Sequence, residues 1–327
     1  MAQLYNKCVN ILLVWIGRLG DLLVSTPFMA AMRAKYPDAR ITLLARSYVR
    51  GARELLPFVD ETVFLSAAPR DIAALAKTLL LKKFDLCVDM NCSYSRASGA
   101  LTRLSGAASR VSFDKYRAGW FYTATVAAPR EDEHMQQRYR RLADFFGAPF
   151  APEMKISIPE ERRRRAREIL AACGVKKGDF TVAMHTGNYK KFDHRWPEEK
   201  FAELAKRISA SGARVAYLCG PGEEAQVRRA AQMAGVDAIL PPAELGLMAG
   251  ILSEMNMLVV SATGTMHLAA AAGTPMISLH SGYTEKCWKP LQGEGVAVAS
   301  KDWHSLRGIT VDEVWQAYLK LRGQTHP

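Results

Sequence analysis

The chain has 327 residues, 49% hydrophobic and 23% charged, which supplies cores for two domains and excludes an intrinsically disordered chain. Its net charge of +12 is uneven: residues 1–155 hold 22 Lys and Arg against 14 Asp and Glu, and residues 156–327 hold 22 against 18. A basic excess fits an anionic partner and leaves nucleic acid, an acidic membrane face and an acidic substrate all open.

In chain order, "CVNILLVW" (8–15) predicts a strand, "LLVSTPFMAAMRAKY" (22–36) a helix, "ARITLLA" (39–45) a strand, "AAPRDIAALAKTLLLKK" (67–83) a helix and "FDLCVDM" (84–90) a strand. Near-continuous apolar strands separated by helices of this length predict a parallel sheet covered on both faces. "GAPFAPEMKISIPE" (147–160), with three prolines and a glycine, reads as a linker, which divides the chain into domains 1–155 and 156–327. The helix beyond it, "EERRRRAREIL", places five arginines in six positions, either a solvated surface or an anion or membrane contact. The alternation then repeats: strand 180–185, helix 197–212, strand 213–220, helix 222–235, helix 245–252, strand 255–261, a helix from Thr265, strand 275–280 and an amphipathic helix 310–323. The last helix packs either on its own domain or back on the first. Two doubly wound α/β domains suggest a cleft between them.

No window approaches about 18 consecutive apolar residues. "VNILLVWIG" lacks a charged lead and a cleavage site, so it does not read as a signal peptide, and the expected location is cytoplasmic. Cys8, Cys87, Cys92, Cys173, Cys219 and Cys287 show no C-x-x-C spacing, which predicts reduced, buried thiols rather than a disulfide framework or a zinc site.

Ligands of open parallel sheets bind beyond the carboxyl ends of strands, and three such junctions hold polar residues that packing does not require. In "WIGRLGDLLVSTP", Gly17 and Gly20 flank Arg18 in a turn that lets backbone approach a ligand. Asp21 follows as either a first-turn carboxylate satisfying free N–H groups, worth ~1 kcal/mol, or a general base at the cleft. The G-x-x-G spacing is not the dinucleotide fingerprint, and no acid ends the strand at 39–45 to hold a ribose, which disfavours an NAD enzyme.

In "AMHTGNYKKFDHRWPEEKFAEL" a strand delivers His185, Thr186, Gly187 and Asn188 into a loop with Lys190, Lys191, His194 and Arg195. Donors of three kinds in one loop suit a diphosphate; a plain surface loop is the alternative. In "SATGTMHLAAAAGTP", Ser261, Thr263, Gly264 and Thr265 bring hydroxyls and N–H groups to a helix N-terminus, a ready anion site. His267 is either a packed core histidine or a neutral donor to a diphosphate, with the helix dipole favouring the uncharged ring. The chain has no D-x-D pair for a metal–diphosphate bridge, no HExxH, no G-x-S-x-G and no Walker A sequence, a pattern that fits a metal-independent reaction on a nucleotide-linked substrate.

At these junctions the sequence resembles the ADP-heptose:lipopolysaccharide heptosyltransferases, glycosyltransferase family 9. The resemblance rests on "GDLLVSTP" (20–27), "HTGN" with "HRWPEEKFAEL", "ATGTMHLAAAAGTP" (262–275) and the helix "EHMQQRYRRLADFFGAP", which looks like the family's H-x-x-x-x-Y-x-x-L-x-x-x-G element. It implies a GT-B fold of two facing Rossmann-like domains with a central cleft, the acceptor on the N-terminal domain and the nucleotide sugar on the C-terminal one. It also implies inversion of configuration without a metal or other cofactor, an ADP-sugar donor, an anionic lipopolysaccharide-core acceptor, and work at the inner face of the inner membrane.

Carried onto this chain, the resemblance makes Asp21 the base. It assigns Thr186, Gly187, Asn188, Lys191, His194, Glu223, Ser261, Thr263, Gly264, Thr265 and His267 to the donor, and Arg18, Ser25, Arg70 and His134 to the acceptor. Two positions depart from it: Ala262 stands where Asp is expected before the Thr-Gly pair, and His194 where Lys is expected before the tryptophan. They leave open a different donor sugar or acceptor, or a sugar-nucleotide-binding relative without transfer. A nucleic-acid binder would need aromatics among its basic residues or a recognisable binding module, and the sequence has neither.

Overall fold

The computed structural model describes residues 9–115, 119–187 and 195–325. The chain divides into two compact units, residues 1–157 and 158–327, with the boundary inside the proline-rich stretch. Ser157 closes the first unit by donating its N–H to the Leu55 carbonyl at 2.9 Å.

In the first unit β1 (Asn10–Trp15), β2 (Arg40–Arg46), β3 (Glu61–Leu65), β4 (Leu86–Asp89), β5 (Ser109–Phe113) and β6 (Ala124–Val126) form one sheet in the order β3-β2-β1-β4-β5-β6. All neighbours pair in parallel. The run "NILLVW" forms the central strand because five of its six residues are buried, as a strand covered on both faces requires. Helices α3 (Pro69–Leu81) and α4 (Arg96–Leu104) cover one side, where Leu75, Leu79 and Leu101 pack with Leu12, Val14 and Leu44. A short 3-10 turn at Gly119–Phe121 meets α4 through Gly99, whose missing Cβ leaves room for the Phe121 ring.

The helix expected over 22–36 is two helices, α1 (Leu19–Val24) and α2 (Thr26–Lys35). Pro27 has no N–H for the Leu23 carbonyl, and the Thr26 hydroxyl donates to that carbonyl instead, at 2.7 Å. Ser25 does the same for Leu22 at 2.7 Å. The apolar period runs through this joint, so periodicity alone hides it. Helix α5 (Met135–Phe146) then packs on α2.

In the second unit β7 (Thr181–His185), β8 (Arg214–Tyr217), β9 (Met257–Ser261), β10 (Met276–His280) and β11 (Gly295–Ala299) form a parallel sheet ordered β11-β10-β9-β7-β8. Around it lie α6 (Glu160–Ala172), α7 (Glu198–Ala210), α8 (Glu224–Ala234), α9 (Leu245–Ser253), α10 (Gly264–Ala272), α11 (Gly282–Trp288) and α12 (Val311–Thr325). The last helix, expected on either unit, packs on α7, β10 and β11 of its own. The core runs from Val182 and Trp196 through Phe201 and Tyr217 to Tyr318 and Leu321.

The arginines of α6 follow the surface reading. Arg162 pairs with Glu244, Arg164 with Glu161 and Glu168, Arg165 with Glu168, and Arg167 with Glu160 and Glu254, at 2.5–3.1 Å.

Candidate active site

In each sheet the strand order reverses once, between β1 and β4 and between β7 and β9. Loops leaving the two strands at such a point diverge and open a crevice at the carboxyl edge. Asp21 and Arg18 fall at the first of these places, and Thr186, Gly187, Ser261, Thr263, Gly264 and Thr265 at the second.

At the first crevice the turn after β1 is shaped by Gly17, where a Cβ would collide with the Trp15 indole. The Trp15 Nε1 donates to the Arg18 carbonyl at 3.3 Å, and the Tyr48 hydroxyl donates to the Gly17 carbonyl. Exposed Arg18 leads into α1 with extended backbone, and Asp21 lies half-buried in its first turn. The Asp21 carboxyl is pushed up to about 6, because burial outweighs the lowering effects of the Arg18 charge and a backbone hydrogen bond from Arg18. Tyr48, Cys92 and Tyr139 are each raised first by burial and further by the Asp21 carboxylate, Cys92 to about 11. These three side chains therefore share Asp21's electrostatic neighbourhood.

Behind the turn lies a buried polar network that the sequence reading did not single out. The Asp89 Oδ2 accepts from Lys115 Nζ at 2.9 Å and from the Tyr122 hydroxyl at 2.6 Å, while its Oδ1 accepts from the Asn91 side chain at 2.6 Å and the Asn91 N–H at 3.0 Å. Asn91 reaches back across the crevice: its Oδ1 accepts from Ile16 N–H at 3.1 Å and its Nδ2 donates to the Val14 carbonyl at 3.3 Å. The side chains of Lys115 and Asp89 are 2% and 0% exposed. A lone buried charge would be costly here, and the mutual satisfaction makes the arrangement rigid.

The acceptor candidates do not all reach this place. Ser25 is wholly buried with its hydroxyl engaged in the α1–α2 joint, so it serves the helices rather than a ligand. His134 caps α5, its Nδ1 accepting from Gln136 N–H at 3.2 Å. Arg70 stands exposed at the start of α3, 3.9 Å from the Asp71 carboxylate.

The second crevice is formed by the ends of β7 and β9 and the start of α10. Glu223, in the turn before α8, is buried, and its carboxylate lies against two glycines. A Cβ on Gly187 would collide with it, and one on Gly220 would sit 2.7 Å from its Oε2. The Gly220 N–H donates to that oxygen at 3.0 Å, and the His185 Nε2 lies 3.5 Å away. Burial alone would raise this carboxyl, but the His185 hydrogen bond and charge and the Gly220 N–H bring it below its ordinary value. Gly222 takes φ +83°, a left-handed conformation that explains a glycine in "GPGEE".

His185 Nε2 also lies 3.4 Å from the Thr265 hydroxyl, which joins the end of β7 to the first turn of α10. No side chain caps α10 at Thr263. Among the described residues, the buried Nδ1 of His185 and the hydroxyls of Thr186, Ser261 and Thr263 have no hydrogen-bond partner. Native proteins rarely strand four buried polar groups together, and here they surround an uncapped helix N-terminus suited to an anion. His267 is buried on α10, its ring 6.0 Å from that of Trp288. Gly264 begins the helix. Asn188, Lys190, Lys191 and His194 lie outside the described residues.

The glycosyltransferase family 9 (heptosyltransferase) pattern matches residues 72–309, more than two thirds of the chain. Lipopolysaccharide heptosyltransferase 3 of Escherichia coli (strain K12) is 22% identical over 293 residues, covering 83% of this chain and 82% of that protein. The crystal structure of a family 9 glycosyl transferase from Veillonella parvula DSM 2008 matches with a TM-score of 0.87 at 20% identity, covering 97% of each chain. The E. coli ADP-heptose LPS heptosyltransferase II matches with a TM-score of 0.82 at 19% identity, covering 98% of this chain and 100% of the other. The two α/β units are thus those of the GT-B class. With this fold and the family pattern over residues 72–309, the chain belongs to glycosyltransferase family 9 and is a glycosyltransferase.

Proposed function

We propose that the protein transfers a heptose from ADP-heptose to a hydroxyl of the inner core of lipopolysaccharide, with inversion and without a metal, as a cytoplasmic enzyme working at the inner face of the inner membrane. The observation that carries the donor half is the set of stranded polar groups of His185, Thr186, Ser261 and Thr263 around the uncapped start of α10. A relative of the same fold is named for ADP-heptose, and the basic N-terminal half suits an anionic acceptor.

In this reading the Asp21 carboxylate takes the proton of the acceptor hydroxyl as that oxygen bonds to the anomeric carbon. The bond from that carbon to the β-phosphate oxygen breaks, and ADP leaves with the electron pair. A carboxyl held near pH 6 is ionised at neutral pH yet more basic than an ordinary aspartate. Thr186, Ser261, Thr263, Thr265, His267 and the N–H groups at Gly264 donate to the diphosphate, with Asn188, Lys191 and His194 as further donors. One well-placed donor is worth about 3 kcal/mol. Glu223 accepts from a ribose hydroxyl. Arg18 meets the acceptor's anionic groups.

A thermal-stabilisation screen of nucleotides tests the donor. ADP at ~100 times its dissociation constant should add ~2.7 kcal/mol, and stabilisation by another nucleotide with none by ADP would overturn the assignment. Asp21→Ala should abolish transfer while keeping ADP affinity, and normal turnover in that variant would remove Asp21 as base. Ala262, at the turn between β9 and α10 where the family resemblance expects Asp, favours a second reading: the same chemistry with a different sugar on ADP. Side-by-side turnover of several ADP-sugars separates the two.

A further inference from the structure

We infer that the outer face of α3 is a docking surface for an anionic lipid bilayer. The exposed positions of this helix are Pro69, Arg70, Ile72, Ala73, Ala74, Ala76, Lys77, Leu80 and Leu81: seven apolar residues, two cations and no acid. Ile72 is 54% exposed, Leu80 82% and Leu81 71%, exposures that water alone does not reward in leucines. The helix's one acid, Asp71, is turned inward and held by Arg50 and Ser66.

Cations frame the apolar strip. Arg70 stands at its start, Lys77 in its middle and Lys83 just past its end, and among the described residues neither lysine has an ion-pair partner. A groove of about 360 Å³ between α3 and the edge of the sheet adds Arg40 and Lys82 against a single acid, Glu61. Helix α4, on the same side of the sheet, ends in exposed Arg103 and Leu104, and Trp120 beside it is 69% exposed. The contrast with α6 is instructive: there most of the arginines are answered by acids.

An apolar strip whose exposed positions carry Arg70 and Lys77 and no acid matches the two layers a bilayer presents, acyl chains beneath phosphate. A second copy of the chain fits less well, because a two-fold contact would set Lys77 and Lys83 of one copy near those of the other. Nucleic acid would leave the leucines unburied.

The inference deepens the membrane part of the proposed function and rests on it for the anionic surface, but flotation, which decides it, uses neither donor nor acceptor. The full-length protein is floated with vesicles of phosphatidylcholine alone and with vesicles that also contain phosphatidylglycerol, at low and high salt. The wild type should float with the anionic vesicles, less so at high salt. Leu80→Ser with Leu81→Ser should cut partitioning about tenfold or more, and Lys77→Glu with Lys83→Glu should cut it on anionic vesicles alone.

Both double variants should keep the wild-type circular dichroism and the wild-type rate on a delipidated acceptor. Wild-type flotation in the leucine variant, or no flotation of the wild type, overturns the inference. So does a solution dimer that the leucine variant converts to monomer while flotation is unchanged. If the wild type floats as expected but transfers no sugar, the proposed reaction fails and the surface stands.

Discussion

Asp21, the proposed base, is placed by where its backbone turns, and the turn is held by atoms far away in the chain. Asn91 fixes both Val14 and Ile16 and is itself fixed by Asp89, whose other oxygen holds Lys115 and Tyr122. Asn91→Ala should loosen the turn, admit water to Asp21 and lower kcat/KM about tenfold. The wild-type acid limb should lie near pH 6; in the variant it should move toward ordinary carboxylate values, and a limb that stays put would show that Asn91 does not position the base. None of this network is visible in sequence, because its partners are 26 and 33 residues apart and each alone reads as a surface residue. The place of Asp21 was legible: a carboxylate just past a glycine turn at the end of an apolar strand falls in the first turn of the following helix. At the second crevice, Gly187→Ala would press a methyl group against the Glu223 carboxylate at a cost of about 1–3 kcal/mol. Calorimetric titration should show weaker ADP binding, and unchanged affinity would remove Glu223 from the nucleotide site.

At the scale of elements, β10 ends in a histidine with no access to water. His280 is 0% exposed and its pKa is lowered to about 4, chiefly because burial disfavours the charged ring, with Lys289 adding repulsion and a backbone hydrogen bond at Thr284 opposing. The unfolded chain binds this proton from about pH 6.5 downward, while the folded unit refuses it until about pH 4. Stability is therefore lost as pH falls through that window, by up to about 3 kcal/mol. His280→Asn should flatten the pH dependence of the second unit's unfolding between pH 6.5 and 4, and an equally steep curve would place the loss elsewhere. The strands β1 and β7 could be read from the chain because burial on two faces writes itself as a hydrophobic run, and α7 because its buried Phe201, Leu204, Ala205 and Ile208 recur at helical spacing. The three-residue β6, the half-buried edge strand β11 and α4 with its inner glycine could not, since their conformation comes from neighbours rather than from their own pattern.

For the molecule as a whole, the division at residue 157 means that nucleotide should act on one unit first. ADP should slow amide exchange in β7, β9 and α10 more than in the first sheet, and uniform protection across both sheets would contradict a donor site built from the second unit alone. The two-unit plan was legible because each sheet repeats the same strand–helix alternation. The same division bears on synthesis. Every strand of the first sheet has left the ribosome's active centre by Val126 and its last helix by Phe146, before β7 begins at Thr181. At cellular elongation rates the remaining chain takes roughly 10–30 s, so the unit carrying Asp21 can complete its core while the second unit does not yet exist. Stalled nascent chains ending shortly after α6 should already resist protease through residue 157, and sensitivity there would mean that the first unit waits for the second.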